Sequence, residues 1–194
     1  HRLGIAPPTS ASVDDTIASF PVTFELNERY VAIANGVLDP NNFASNPNGE
    51  SIAFTLFAQD KIRTEAIAHL VKLRAFHGAT DAPTVDIRAA KGDGPGRLVF
   101  NNLTYGEFSR NRVLRPDMYE LVVTPGKDRR TEVARFEADL SGLAGGASIV
   151  FASGFLNPMD NGDGAPFGLY AALPDGQVIE LPKVMDEQFA RLQV

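Results

Sequence analysis

The chain of 194 residues has no cysteine and no tryptophan. Without thiols there are no disulfides, iron–sulfur clusters or thiol nucleophiles, and a structural zinc site loses its usual ligands. The lack of cysteine does not fix the compartment, because oxidising compartments permit disulfides without requiring them. Long apolar runs are missing too. No stretch approaches the roughly 18 residues that a membrane-spanning helix needs. Positive charge is in deficit, with 18 Lys and Arg against 24 Asp and Glu and a net charge of −6. That balance argues against nucleic-acid binding, which needs clustered cations. The local run Lys127-Asp128-Arg129-Arg130 is broken by an acid and flanked by turn residues, so it reads as a solvated loop tip. Histidine is scarce, three residues with one at position 1. A Ser-His-Asp arrangement therefore has little material, and no serine sits in a Gly-x-Ser-x-Gly elbow. Gly92–Gly96 imitates a phosphate loop without its Gly-Lys-Ser/Thr ending. Adjacent acids such as Asp14-Asp15 diverge and do not make a glycosidase pair.

What the chain does have is apolar content of 44%, 13 Phe, and 17 Gly with 13 Pro. That much turn chemistry suits short strands better than long helices. Alternation or β-rich runs predict strands at Pro21–Leu26, Tyr30–Val37, Ser51–Phe57, Val71–Phe76, Thr84–Arg88, Arg97–Phe100, Met118–Val123, Val133–Leu140, Ser148–Phe155, Phe167–Ala172 and Gln177–Leu181. Turns separate them, and Pro174-Asp175-Gly176 is a hairpin signal. Helical pattern is limited to a turn or two in Asp60–Leu70, a short helix at Lys183–Leu192 and one turn at Thr16–Phe20. The expected fold is all-β, built of antiparallel sandwiches with Greek-key-like connections.

The strongest signal is internal repetition. Tyr30 to Pro40, YVAIANGVLDP, aligns with Ser148 to Pro158, SIVFASGFLNP, at a spacing of 148 − 30 = 118. The same spacing sets Pro7 on Pro125, so that LGIAP and LVVTP are equivalent strand ends. Further on, FTLFAQD from Phe54 matches FGLYAALPD from Phe167 at 167 − 54 = 113, a loop five residues shorter in the second copy. Arg191–Val194 resembles Lys72–Ala75 at a spacing of 119. The expected organisation is the second half of one repeat over 1–66, a complete repeat over 67–183, and a linker with the first strand of another over 184–194. On this reading the first repeat is incomplete. Its bare strand edges must be paired on the complete copy or by strands from a neighbouring chain. The start at His1, directly in a strand-like segment, is read as an upstream part removed or not included.

His77 to Ile87, HGATDAPTVDI, is the most distinctive stretch. It resembles the H-x-S-x-D-A-P-x-V-D-V signature of a bacterial family, the domain of unknown function numbered 4397. The likeness continues in order through LTYGEFS, MYELVVTP, SIVFASGFLNP and FGLYAALPDG, over about 67–181. The resemblance implies a β-sandwich in secreted or surface-attached bacterial proteins, often in tandem, and it implies no activity. The first copy lacks the signature segment.

Two groups of side chains invite a site. His77, Asp81 and Asp86 combine an imidazole with two carboxylates, a set that can bind a metal or ligand. The alternative is structural: Asp81 caps the turn before Ala82-Pro83, and His77 bonds backbone across it. Asp160 and Asp163 lie in a Gly- and Asn-rich loop, as does Asp39–Glu50, and calcium favours such oxygen-rich loops. The same residues also make ordinary turns. Beyond possible calcium no cofactor is expected. The functional expectation is a non-enzymatic, extracellular or cell-surface structural module that associates with itself or with neighbouring repeats. The alternative is a module that binds a glycan or surface polymer through the loops Asn41–Glu50 and Lys91–Gly96.

Overall fold

The computed structural model describes residues 1–92, 94, 96–128 and 131–184. The chain divides into two compact units. The first holds residues 1–34 and 55–62; the second holds residues 35–54 and the chain from Arg63 on.

In the first unit, β1 (Arg2–Ile5) and β2 (Ala18–Pro21) form an antiparallel hairpin with Leu3 opposite Phe20. Val13–Asp15 forms a single 3-10 turn in the connection. Ser12 Oγ accepts from Asp14 N at 3.0 Å, and the Asp15 carboxylate accepts from the Ala11 and Ser12 amides at 2.8 and 3.1 Å. Those two amides hold the Asp15 carboxyl below its ordinary value. β3 (Val31–Asn35) pairs with β4 (Thr55–Gln59). None of the described residues of this unit is buried.

The second unit carries two larger sheets. One is four-stranded and antiparallel, built from β6 (Val85–Ala90), β7 (Arg97–Leu103), β9 (Met118–Pro125) and β10 (Ala134–Asp139) in the order β10-β9-β6-β7. The other is five-stranded, from β5 (Val71–His77), β8 (Arg112–Leu114), β11 (Ala147–Ser153), β12 (Gly168–Ala172) and β13 (Val178–Glu180), in the order β13-β12-β11-β5-β8. Alternation along each strand turns Leu73, Ile87, Leu121, Phe136, Val150 and Leu169 into one buried apolar cluster that draws on both sheets. Burial of such side chains contributes about 1.5–3 kcal/mol each.

The all-β expectation holds, with corrections. The five-stranded sheet is mixed, because β5 and β11 run parallel, Phe76 opposite Phe151. Parallel partners need a long crossover, and here the strands of the other sheet lie between them in the chain. β2 occupies the stretch expected as a helical turn, and it ends at Pro21, where the Pro21–Leu26 strand was expected to begin. The single turn forms earlier, where Ser12 and Asp15 can cap it. Asp60–Leu70 is not helical. Ala66 N instead donates to Gly145 O at 2.7 Å, and Thr64 O accepts from Ala147 N, so tertiary pairing takes these backbone groups. β8, three residues among charges, carried too short a pattern to be read. Most of the helix expected at Lys183–Leu192, and Arg191–Val194, lie outside the described residues.

The two aligned loops share one backbone design. Val37 N donates to Ile52 O at 2.8 Å and Val37 O accepts from Phe54 N at 2.9 Å. Phe155 repeats this with Ala165 and Phe167 at 2.9 and 2.8 Å. A 3-10 turn follows in each, Pro40–Asn42 and Pro158–Asp160. Gly36 and Gly154 precede them with φ of +100° and +78°, and a Cβ at Gly154 would sit 2.3 Å from Pro166 O. Only glycine fits both constraints.

Candidate functional site

The signature turn, residues 77–84, leaves β5 and enters β6 between two loops. One is the loop of residues 35–54, and the other follows β11. Both meet it through polar side chains.

Asparagines carry the first contact. Asn35 Nδ2 donates to Gly78 O at 2.8 Å. Asn46, only 4% exposed, donates from Nδ2 to Thr80 O and Ala82 O at 2.8 and 3.2 Å. Its Oδ1 accepts from Asn48 N, which orients Asn48. Asn48 Oδ1 then accepts from Thr84 N at 2.8 Å and from Thr84 Oγ1 at 3.3 Å. Three side chains thus satisfy backbone groups that a turn cannot pair within itself.

Asp81 makes the second contact. Its carboxylate accepts from Leu156 N at 2.9 Å, Asn157 N at 2.8 Å and Asn161 Nδ2 at 3.0 Å. It caps the loop after β11, not the turn before Ala82-Pro83 that the sequence suggested. Asn161 is fully buried. Its Nδ2 also reaches Asn157 O at 2.8 Å, and its Oδ1 accepts from Ala44 N at 3.1 Å. Phe43 stacks on Phe155 beside it, centroids 5.7 Å apart. Gly78 marks the tightest approach: a Cβ there would lie 2.6 Å from Ala152 O and 2.2 Å from Asn35 Nδ2.

His77 sits at the base, 1% exposed. Nε2 lies 3.0 Å from Pro83 O. A carbonyl only accepts, so Nε2 carries the proton and donates. This is the backbone bond across the turn that the sequence suggested. Burial pulls the imidazole below its ordinary pKa, against smaller upward pulls from the Pro83 bond and the Glu107 charge. The ring is neutral, edge-on to Tyr105.

Asp86 works elsewhere. Its Oδ1 accepts from Asn102 N at 2.7 Å, where Asn102 has φ of +52° and the β6–β7 register shifts. The carboxylate caps a bulge. Asp160 accepts from Asn157 Nδ2. Asp163 takes a left-handed conformation, φ +53°, and donates its N–H to Pro158 O at 2.9 Å. Among the described residues no three of His, Cys, Asp and Glu gather as a metal-binding group. The carboxylates of Asp81, Asp86 and Asp160 and Nε2 of His77 are thus engaged in holding the fold. Asn35 was not singled out from sequence, and Asn161 lay in the loop with Asp160 and Asp163 that was read as calcium-binding or plain turn. Asn46 and Asn48 lay in a loop read as calcium ligands or plain turn.

No family model, no curated protein and no solved structure matches this chain.

Proposed function

We propose that this chain is a structural module of a tandem β-sandwich array, displayed outside a bacterial cell, in which copies of the repeat are joined into a surface layer or fibre. The observation that carries the reading is the asparagine grip. Side chains from a loop of one sequence copy take the backbone of the signature turn in the next. The side-chain contacts that this segment makes with the loop of residues 35–54 join copies, which supports a mechanical role. The single apolar cluster shared by the two sheets of the second unit supports the sandwich. The resemblance of 67–181 to a family of secreted tandem domains supports the placement and the partners, which are neighbouring repeats.

The test is hydrogen exchange on the purified chain. Replacing Asn46 and Asn48 by alanine should release residues 35–54 to fast exchange and lower the urea midpoint. Unchanged protection of that loop would remove the joining role.

A further inference from the structure

The two sheets of the second unit end in edges of opposite charge. On one side the last strands are β7 and β8. A cavity of about 160 Å³ opens between them, lined by Arg97 and Arg112 with Val99, Val113 and Leu114. Arg110 precedes β8 on the same edge, where Ser109 N donates to Ala75 O at 2.7 Å. All three arginines are exposed, and among the described residues none of them has an ion-pair partner. Arg112 Nε donates to Val99 O at 2.8 Å. Glu107 is the one acid between Leu98 and Pro116, and its carboxylate accepts from Thr104 N at 3.1 Å.

On the other side the last strands are β10 and β13. Pro182–Val184 already lies along β10: Glu137 N donates to Pro182 O and Val184 N to Arg135 O, both at 2.8 Å. A second cavity of about 160 Å³ is lined by Ile179 and Leu181 and by the exposed residues Glu137, Asp139 and Glu180. Among the described residues these three carboxylates have no ion-pair partner either. Lys183, bridged to Phe136, adds one positive charge there.

Direction and polarity match as well as charge. β8 runs antiparallel to β5, β5 parallel to β11, and β13 parallel to β11 through β12. β8 and β13 therefore point in opposite directions, and β8 of one copy placed beside β13 of another continues the sheet as an antiparallel pair. Both strands have three residues. Both also expose apolar side chains: Val113 is 45% exposed, Val178 59% and Ile179 42%. An edge strand with its backbone unpaired is a template for another strand.

We propose that the β8 edge of one chain docks on the β13 edge of a second copy, with Arg97, Arg110 and Arg112 facing Glu137, Asp139 and Glu180. The contact joins two different surfaces, so each added copy leaves a free edge for the next. It names the partner within the layer or fibre proposed above and rests on that reading.

Sedimentation velocity of the full chain tests it. The parent should form species larger than a dimer as concentration rises to about 1 mM. About 0.5 M salt should weaken them several-fold, because it screens exposed charges. Arg97→Glu with Arg110→Glu makes both edges acidic, and Glu137→Arg with Glu180→Arg makes both basic. Each double variant alone should associate at least about tenfold more weakly than the parent, and an equimolar mixture of the two should regain the parent's association. Arg97→Lys with Arg110→Lys keeps the charge and should assemble like the parent. A parent that stays monomeric to about 1 mM or stops at a dimer would overturn the proposal, as would a mixture that associates no better than its components. Asn46→Ala with Asn48→Ala leaves both edges unchanged and should still assemble, so failure of the grip and failure of this contact are read separately.

Discussion

Asn161 Nδ2 donates to Asp81 Oδ2 at 3.0 Å across 80 residues of sequence. This bond, with the Leu156 and Asn157 amides on the same carboxylate, ties the signature turn to the loop after β11. Asp81→Ala strips the acceptor from three donors, one of them on a fully buried side chain. Hydrogen bonds to a charged group are worth about 1.5–3 kcal/mol. The expected loss is about 2–3 kcal/mol in urea unfolding, with Asp81→Asn in between because its amide keeps one acceptor.

Asn46 distinguishes a donor from mere volume. Its Nδ2 faces two carbonyls, Thr80 O and Ala82 O. Asn46→Ala leaves both unpaired, and a loss of about 1–3 kcal/mol follows. Asn46→Asp sets a carboxylate against the same two oxygens and should be worse than alanine. Urea midpoints of the two variants rank them, and Asp milder than Ala would contradict the donor assignment.

His77 makes stability depend on pH. The buried imidazole has a pKa below the ordinary 6.5, while the unfolded chain titrates near 6.5. Above 6.5 neither state is protonated and stability is complete. As pH falls below 6.5 the unfolded chain takes up a proton that the folded one refuses, and stability is lost progressively through the folded value. His77→Gln keeps a donor for Pro83 O and removes the titration. Urea midpoints measured on both sides of pH 6.5 should slope in the parent and flatten in the variant.

Gly78 is needed for space rather than for φ. A methyl group would meet Ala152 O, a backbone atom, at 2.6 Å. Gly78→Ala should cost about 1–3 kcal/mol as overpacking. Gly142→Ala is the control: nothing lies within 4 Å of its added carbon. Its effect should stay within about 0.5 kcal/mol. Thermal melts of the pair measure the difference.

Much of the fold was legible. Strand alternation located β5, β6, β9, β11 and β12 to within a residue or two, because a period of two records which face is buried. Pro174-Asp175-Gly176 marked the β12–β13 hairpin, where Gly176 N donates to Leu173 O at 3.0 Å. The change of spacing from 118 to 113 located the shortened loop, and Val37 and Phe155 keep equivalent pairings on its two sides. The turn at Thr16–Phe20 was misread because local pattern there carried less weight than pairing with β1.

Repetition, strand content and the peculiarity of HGATDAP follow from the order of residues alone, since they are patterns of side chains along one chain. Tertiary structure decided what those side chains touch. A carboxylate or an asparagine amide is a short polar group with no directional preference written in its neighbours. Asp81 finds its donors 75, 76 and 80 positions away. Asn46 finds its acceptors 34 and 36 positions away. The parallel pairing of β5 with β11 has the same origin, because which strand becomes a neighbour depends on how whole sheets pack and not on any local period.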